Sequence, residues 1–247
     1  MNFLLLEPGE LDEGGVARLV GRRAAHVQAV LGAAVGDTLR AGLLDGPLGN
    51  AVIEAVGDDA VVVRASWERQ PPASADVLML AVPRPKVLLR MLAHAAAFGF
   101  AEIVLFRSWR VDKSHLDSTA MSAQAQREQL LLGLEQAGRT QLPKVRFCPL
   151  FKPMVEDDLP TWSLPRARFV GHPTAPTQTA ELELGAAAPF ALCLGPDGGL
   201  LPYEVERLAG AGFLPVSCGP HALRTEAALS LLFGQLDLLR RRASLRR

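Results

Sequence analysis

The sequence predicts an α/β protein in which a β-rich amino-terminal part precedes a parallel sheet, and three observations predict it. Residues 77–82 form a continuous apolar run of strand length, followed by Pro83, Pro85, a helical apolar pattern over 86–98 and another apolar run at 103–106. Strand, helix, strand at this spacing is the pattern of a parallel pair joined by a right-handed crossover. Residues 1–70 instead carry short β-rich segments, Ala51-Val52-Ile53 and Val61-Val62-Val63, with turn signals at Gly36-Asp37 and Asp45-Gly46. Between the two parts stands Gln70-Pro71-Pro72-Ala73-Ser74, where consecutive prolines force extended backbone. The expected boundary divides residues 1–72 from 73–247.

In chain order, the amino-terminal part reads as a small β-barrel or sheet with one helix. That helix is Ala24 to Leu31, with apolar positions at helical spacing before Gly32; His26 within it reads as structural. After the first strand–helix–strand unit, Ser118 to Ala137 reads as a polar-faced helix with Gly138 as its cap. Val145 to Cys148 and Arg168 to Val170 are two further strands, separated by a proline-rich connection with an acidic segment, Glu156 to Asp158. Gly171-His172-Pro173 ends the second in a turn. Phe190 to Leu194 and Phe213 to Ser217 are short apolar runs, each leading into a glycine-rich turn. Between them a helix has Pro202 at its first position, Glu204 and Glu206 in its first turn and Gly212 beyond its end. The last helix has Thr225 as N-cap and an apolar face of Ala228, Leu231, Leu232, Leu236 and Leu239, with Arg240 to Arg242 complementing the dipole. That face is expected to pack on the sheet or on a second subunit.

At 247 residues and 49% hydrophobic content the chain can bury a substantial core. Its longest apolar stretch, Val87 to Phe106, carries Arg90, His94 and Glu102, which argues against a membrane span. Met1 to Leu6 lacks the basic start of a signal peptide, so a cytoplasmic location is expected. Cys148, Cys193 and Cys218 are widely spaced and form no CxxC pair; reduced thiols are expected, and no metal. With 26 basic and 26 acidic residues the net charge is zero, so global charge does not advertise a nucleic-acid partner. Basic residues nevertheless cluster at 84–90, 107–113, 139–146 and 240–247.

The densest chemistry lies in Leu194-Gly195-Pro196-Asp197-Gly198-Gly199 and Cys218-Gly219-Pro220-His221-Ala222-Leu223-Arg224-Thr225-Glu226. Glycines at such turns can take positive φ and let a ligand approach the main chain, and two such turns beside one another suggest one site. The first lacks the Lys-Ser/Thr of a phosphate loop, and no dinucleotide fingerprint, hydrolase elbow or HExxH is present.

This paired motif resembles the RsmE family of ribosomal RNA methyltransferases. Glu135-Gln136-x-Gly138-Arg139, His172-Pro173 and His26-x-x-x-Val30-Leu31 followed by Val35-Gly36-Asp37 support the resemblance, which spans nearly the whole chain. It implies a PUA-like RNA-binding β-barrel over 1–72 and a SPOUT domain over 73–247, whose sheet ends in a trefoil knot that holds S-adenosylmethionine. It also implies a homodimer that methylates N3 of a uridine in 16S ribosomal RNA of the small ribosomal subunit. A second reading is a catalytically weakened RNA-binding or ribosome-assembly factor. On the resemblance, His172, Leu194, Gly195, Pro196, Gly198, Gly199, Cys218, Gly219 and Leu223 are the cofactor-contact candidates. Arg224 positions the uridine, and Glu226 or Asp197 manages the imide proton; alternatively Glu226 serves the helix N-terminus and pairs with Arg224. Arg110 and Arg139 are candidate RNA contacts. The chain departs from the family pattern at Val30-Leu31-Gly32, where Val-Leu-Arg is usual, and at Ser108-Trp109-Arg110, where Ser-Glu-Arg is familiar.

Overall fold

Alternation along the amino-terminal strands explains the first sheet. In the computed structural model residues 3–245 are described, so Met1, Asn2, and Arg246 and Arg247 of the last basic cluster lie outside the described residues. Strands β1 (Phe3–Leu6), β2 (Val16–Val20), β3 (Thr38–Leu43), β4 (Leu48–Val56) and β5 (Ala60–Arg69) pair in the order β1-β3-β4-β5-β2. β1 and β3 run parallel; the other pairs are antiparallel. Ala51 and Ile53 of β4 point inward with Val61 and Val63 of β5, while Val52 between them faces outward. Leu4, Leu6, Ala17, Leu19 and Val27 complete this core. The expected helix starts earlier than Ala24, as α1 (Gly21–Ala25), and continues through a wider π-type turn over His26–Val30.

The described residues up to Ala73 cluster with Leu130–Leu142 as one compact unit; Ser74–Gln129 and the described residues from Pro143 onward form the other. The expected division at residue 72 therefore omits a segment. Its bonds explain its membership. Glu135 pairs with Arg22 at 2.8 Å, the Thr140 hydroxyl donates to the Gly46 carbonyl, and the Asp45 amide donates to the Thr140 carbonyl, both at 2.8 Å.

The second unit holds β6 (Val77–Ala81), β7 (Glu102–Phe106), β8 (Lys144–Cys148), β9 (Ala167–Gly171), β10 (Thr177–Gln178), β11 (Phe190–Leu194) and β12 (Leu214–Ser217). They form one sheet in the order β10-β12-β9-β11-β6-β7-β8, with every pair parallel. Every residue of β6 and β11 is buried, which is why these central strands read as unbroken apolar runs. Helix α2 (Pro85–Phe98) makes the crossover from β6 to β7 and stops at Gly99, whose φ of 89° an L side chain rarely adopts.

A short turn α3 (Lys113–Leu116) comes before α4 (Ala123–Ala137). The helix expected from Ser118 begins only at Ala123, because 119–121 form a separate 3-10 turn and the Ser122 hydroxyl accepts the Ala125 amide. Gly138 ends it at φ 66°. After α5 (Phe151–Pro153), Glu156 to Asp158 of the proline-rich connection belong to a helical turn.

Helix α6 (Pro202–Gly210) starts on its proline as expected. Helix α7 (Thr225–Leu245) corrects three expectations. Its buried row is Leu229, Leu232 and Leu236, spaced three and four apart; Leu231 falls off that row and is exposed. Thr225 does not serve as the outer cap: it is buried in the first turn, and its hydroxyl reaches the Gly195 carbonyl at 3.4 Å. Arg240 does not end the helix either. It donates to Asp76 and Asp237, both at 2.7 Å, and lies over the Phe190 and Phe233 rings.

Candidate functional site

Neighbouring parallel strands deliver their carboxyl ends to one edge of a sheet, and in open α/β sheets that edge is where ligands bind. β9, β11 and β12 are such neighbours. The segments that leave them meet around a cleft of about 250 Å³. After β9 it is lined by His172 and Pro173, after β11 by Gly195 to Leu200, and after β12 by Cys218, Gly219 and Leu223. The two glycine turns thus share one cavity. Leu194, Val216 and Leu232 contribute apolar wall, and Ala228 and Thr225 bring α7 to it.

Hydrogen bonds hold the segments against one another. The His172 amide donates to the Val216 carbonyl at 2.9 Å, and the Gly199 amide closes a turn on the Pro196 carbonyl at 2.7 Å. Gln235 of α7 donates to the Cys218 carbonyl at 3.3 Å. Two glycines are required by close approach. A Cβ at Gly195 would stand 2.9 Å from the Leu200 amide nitrogen, and one at Gly171 would stand 2.7 Å from a Leu232 methyl. Gly219 is different: it has φ of 145° and open space where a side chain would be, so its main chain faces the cavity bare. Apolar walls with exposed peptide groups between them suit a flat heterocycle joined to a polar chain.

Among the charged candidates Asp197 lines the cleft, while Arg224 and Glu226 flank the lining residue Thr225. Glu226 accepts from Arg90 at 2.6 Å, so the pairing proposed with Arg224 is made by Arg90 instead. That hydrogen bond from Arg90 holds the Glu226 carboxyl below the usual carboxylate range. Asp197 faces Arg84 at 3.5 Å and the Thr225 hydroxyl at 3.4 Å. Arg110 donates to the Gly198 carbonyl, which places it against the first glycine turn. Arg224 is exposed and, among the described residues, has no ion pair. Arg139 lies elsewhere, in the unit that contains 130–142, just past the Gly138 cap. Burial pushes the Cys218 thiol up, away from the thiolate form. Among the described residues, no group of three or more His, Cys, Asp or Glu side chains could hold a metal ion, and no helix is long and apolar enough to cross a membrane.

Sequence reasoning missed Gly171, Leu200, Val216, Thr225 and Leu232 as lining residues, and Arg84 and Arg90 as partners of the carboxylates. Gly171 had a signal, since it precedes His172-Pro173 directly. Leu200 directly follows the first glycine turn and Val216 stands in β12, whereas Thr225 and Leu232 are brought to the cleft by α7, and Arg84 and Arg90 reach their carboxylates from the N-cap and body of α2.

A family model described as RNA methyltransferase domain matches residues 71–236, about two thirds of the chain. The chain belongs to the RNA methyltransferase family. The matched residues include all three segments of the cleft and the first three turns of α7. Among curated relatives of this RNA methyltransferase family member is the ribosomal RNA small subunit methyltransferase E of Treponema pallidum. It is 28% identical over 240 residues, covering 92% of this chain and 87% of the relative. The protein of the same name from Mycobacterium bovis is 26% identical over 242 residues, covering 92% and 88%. A Legionella pneumophila protein assigned as a methyltransferase and solved with S-adenosylmethionine bound is 26% identical, with a TM-score of 0.70 and 96% of each chain covered. The fold also matches a ribosomal RNA small subunit methyltransferase E from Neisseria gonorrhoeae at a TM-score of 0.74 and 18% identity, over 96% of this chain and 98% of that one.

Proposed function

We propose that this chain is an S-adenosylmethionine-dependent methyltransferase that acts on N3 of a uridine in 16S ribosomal RNA of the small subunit. The single observation that carries the reading is the cleft in which both glycine turns and the β9 segment converge at the carboxyl edge of the sheet. The family match and the relatives named for this activity support it. His172, Leu194, Gly195, Pro196, Gly198, Gly199, Cys218, Gly219 and Leu223 are the proposed cofactor contacts, and all nine line the cleft. A trefoil knot made by the 195–200 and 217–223 segments, a PUA-like amino-terminal domain and a cytoplasmic location belong to the same proposal. So does a homodimer: Leu231, Leu238 and Leu245 stand exposed at seven-residue spacing on α7, as a helix seam between two copies would require.

Bound S-adenosylmethionine supplies an electrophilic methyl group. The chain must hold the uracil, meet its charge and remove a proton. Loss of the imide proton makes N3 a nucleophile and spreads negative charge over the flanking carbonyl oxygens; that charge is neutralised when N3 takes the methyl group. Arg224, exposed between the lining residues Leu223 and Thr225 and without an ion pair among the described residues, is assigned to that charge. Arg90 stabilises the charged form of Glu226 and so makes that carboxylate a weak proton acceptor. Asp197, beside the Thr225 hydroxyl on the glycine turn, is assigned the proton.

The test is calorimetry with S-adenosylmethionine, followed by methyl transfer to small subunits from cells that lack the gene. Absence of heat and of thermal stabilisation by saturating cofactor sinks the reading. Arg224→Ala is expected to lower methyl transfer about 10²-fold with cofactor affinity unchanged. Full retained activity would remove Arg224 from the mechanism.

A further inference from the structure

A second cleft opens beside the first, and nothing in the proposed reaction uses it. It encloses about 520 Å³, more than the first, and its wall includes Trp109, Tyr203, Leu150, Arg107 and Lys152. Trp109 is 82% exposed, an unusual state for the largest apolar side chain, and Tyr203 and Leu150 are exposed beside it. The indole is presented by an anchored backbone. The buried Glu204 carboxylate accepts the Trp109 amide with one oxygen and the Leu201 amide with the other, both at 2.8 Å, fixing this loop to the start of α6. Ser108, also in the wall, is buried and its hydroxyl has no hydrogen-bond partner among the described residues.

Charge around the rings is mainly positive. Arg107 and Lys152 line the cleft, and Arg207 lies over the Tyr203 ring at 5.2 Å; Glu156 stands 3.8 Å from Lys152 and 3.7 Å from Arg207, so one carboxylate is shared between two cations and the balance stays positive. The one carboxylate in the wall, Glu204, has both oxygens committed to backbone amides. Aromatic faces flanked by cations are what an unpaired nucleobase with its phosphates needs, since every base has a π-face to stack and its backbone seeks positive charge. A base within a duplex has its faces covered by its neighbours and could not use the cleft. Position links this cleft to the first. Arg110, next in sequence after Trp109, bonds the Gly198 carbonyl of the methyl-donor turn.

We infer that the cleft around Trp109 and Tyr203 is a stacking subsite for an unpaired base of the RNA strand, adjoining the nucleotide that enters the first cleft. The inference rests on the proposed RNA methyl transfer for the identity of the strand. It names a contact separate from the methyl-donor site.

Fluorescence titration of the full chain with a short single-stranded oligouridylate tests it. Of the three tryptophans, Trp162 is covered by Arg146 at 4.3 Å and Trp67 packs against the first core, so quenching by a stacked base reports on Trp109. Trp109→Phe should lose the quench and keep the affinity. With affinity read from the anisotropy of a labelled oligouridylate, which needs no tryptophan, Trp109→Ala should raise the Kd roughly 5- to 150-fold, the range of one base–aromatic stack, and Tyr203→Ala should also weaken binding. In methyl transfer, Trp109→Ala should raise the KM for RNA with kcat and S-adenosylmethionine affinity unchanged. An unchanged melting temperature excludes misfolding, as expected for so exposed a side chain. Lack of quenching, or alanine variants with wild-type Kd and KM, overturns the subsite even if RNA is methylated. Quenching and the loss in Trp109→Ala, in a chain that transfers no methyl group to RNA, would retain the subsite and overturn the proposed reaction.

Discussion

At the scale of single residues, the glycines of one short motif differ in what they can tolerate. A Cβ on Gly195 would stand 2.9 Å from a backbone nitrogen and 3.2 Å from the Gly199 carbonyl carbon, and neither atom can give way without moving the turn. On Gly198 it would meet only the Arg110 side chain, at 3.2 Å, and that chain is long and flexible. Gly195→Ala is therefore expected to cost about 1–3 kcal/mol of stability, as overpacking does, and to weaken cofactor binding by displacing the turn. Gly198→Ala should leave stability close to wild type. Denaturant melts and calorimetry on the two variants check this, and equal losses would refute the distinction. The motif was legible in the sequence because its residues are neighbours in one loop, so their spacing survives folding. Which glycine is indispensable was not legible, since it depends on where Leu200 folds back.

At the scale of an element, α7 shows how a surface pattern misleads. Three consecutive arginines near a carboxyl terminus read as dipole-complementing and solvated. Arg240 instead reaches Asp76, which is 2% exposed and also accepts the Phe190 amide at 3.0 Å. Burial works against the charge on Arg240, yet the hydrogen bond and charge of Asp76, with those of Asp237, keep its pKa raised. The guanidinium thus ties the end of α7 to the starts of β6 and β11, the two strands at the centre of the sheet. Arg240→Ala leaves Asp76 buried without its countercharge, and a loss of about 3–5 kcal/mol is expected. Arg241→Ala serves as the control, because Arg241 is exposed and its ion pair among the described residues is with Asp237. Urea unfolding of both variants is the measurement, and comparable midpoints would show that the pair is not structural. The partner of Arg240 lies 164 positions earlier, and no periodicity within α7 points to it.

At the scale of the whole molecule, the proline pair at 71–72 marked where the first run of strands ends, but not everything that belongs with it. The parallel sheet was legible through its unbroken apolar runs, though not its short edge strand β10, and the first sheet through β-rich segments at 51–53 and 61–63 between turn signals. The return of Leu130–Leu142 to the first unit was not, because its hydrogen bonds go to residues such as Asp45 and Gly46, more than ninety positions away. A fragment ending at Ala73 lacks Glu135 for Arg22 and Thr140 for Gly46. It is also short enough for its core to be marginal. Joining residues 130–142 to that fragment through a Gly/Ser linker of roughly 20 residues, with a mean reach of about 25 Å, restores those partners. The joined fragment is expected to melt cooperatively and higher than residues 1–73 alone, by about 4–8 °C for each kcal/mol regained at this size. Thr140→Val within the joined fragment should return part of that gain, because the Gly46 carbonyl loses its donor. Identical melting curves for the two fragments would place the autonomous fold entirely before Ala73.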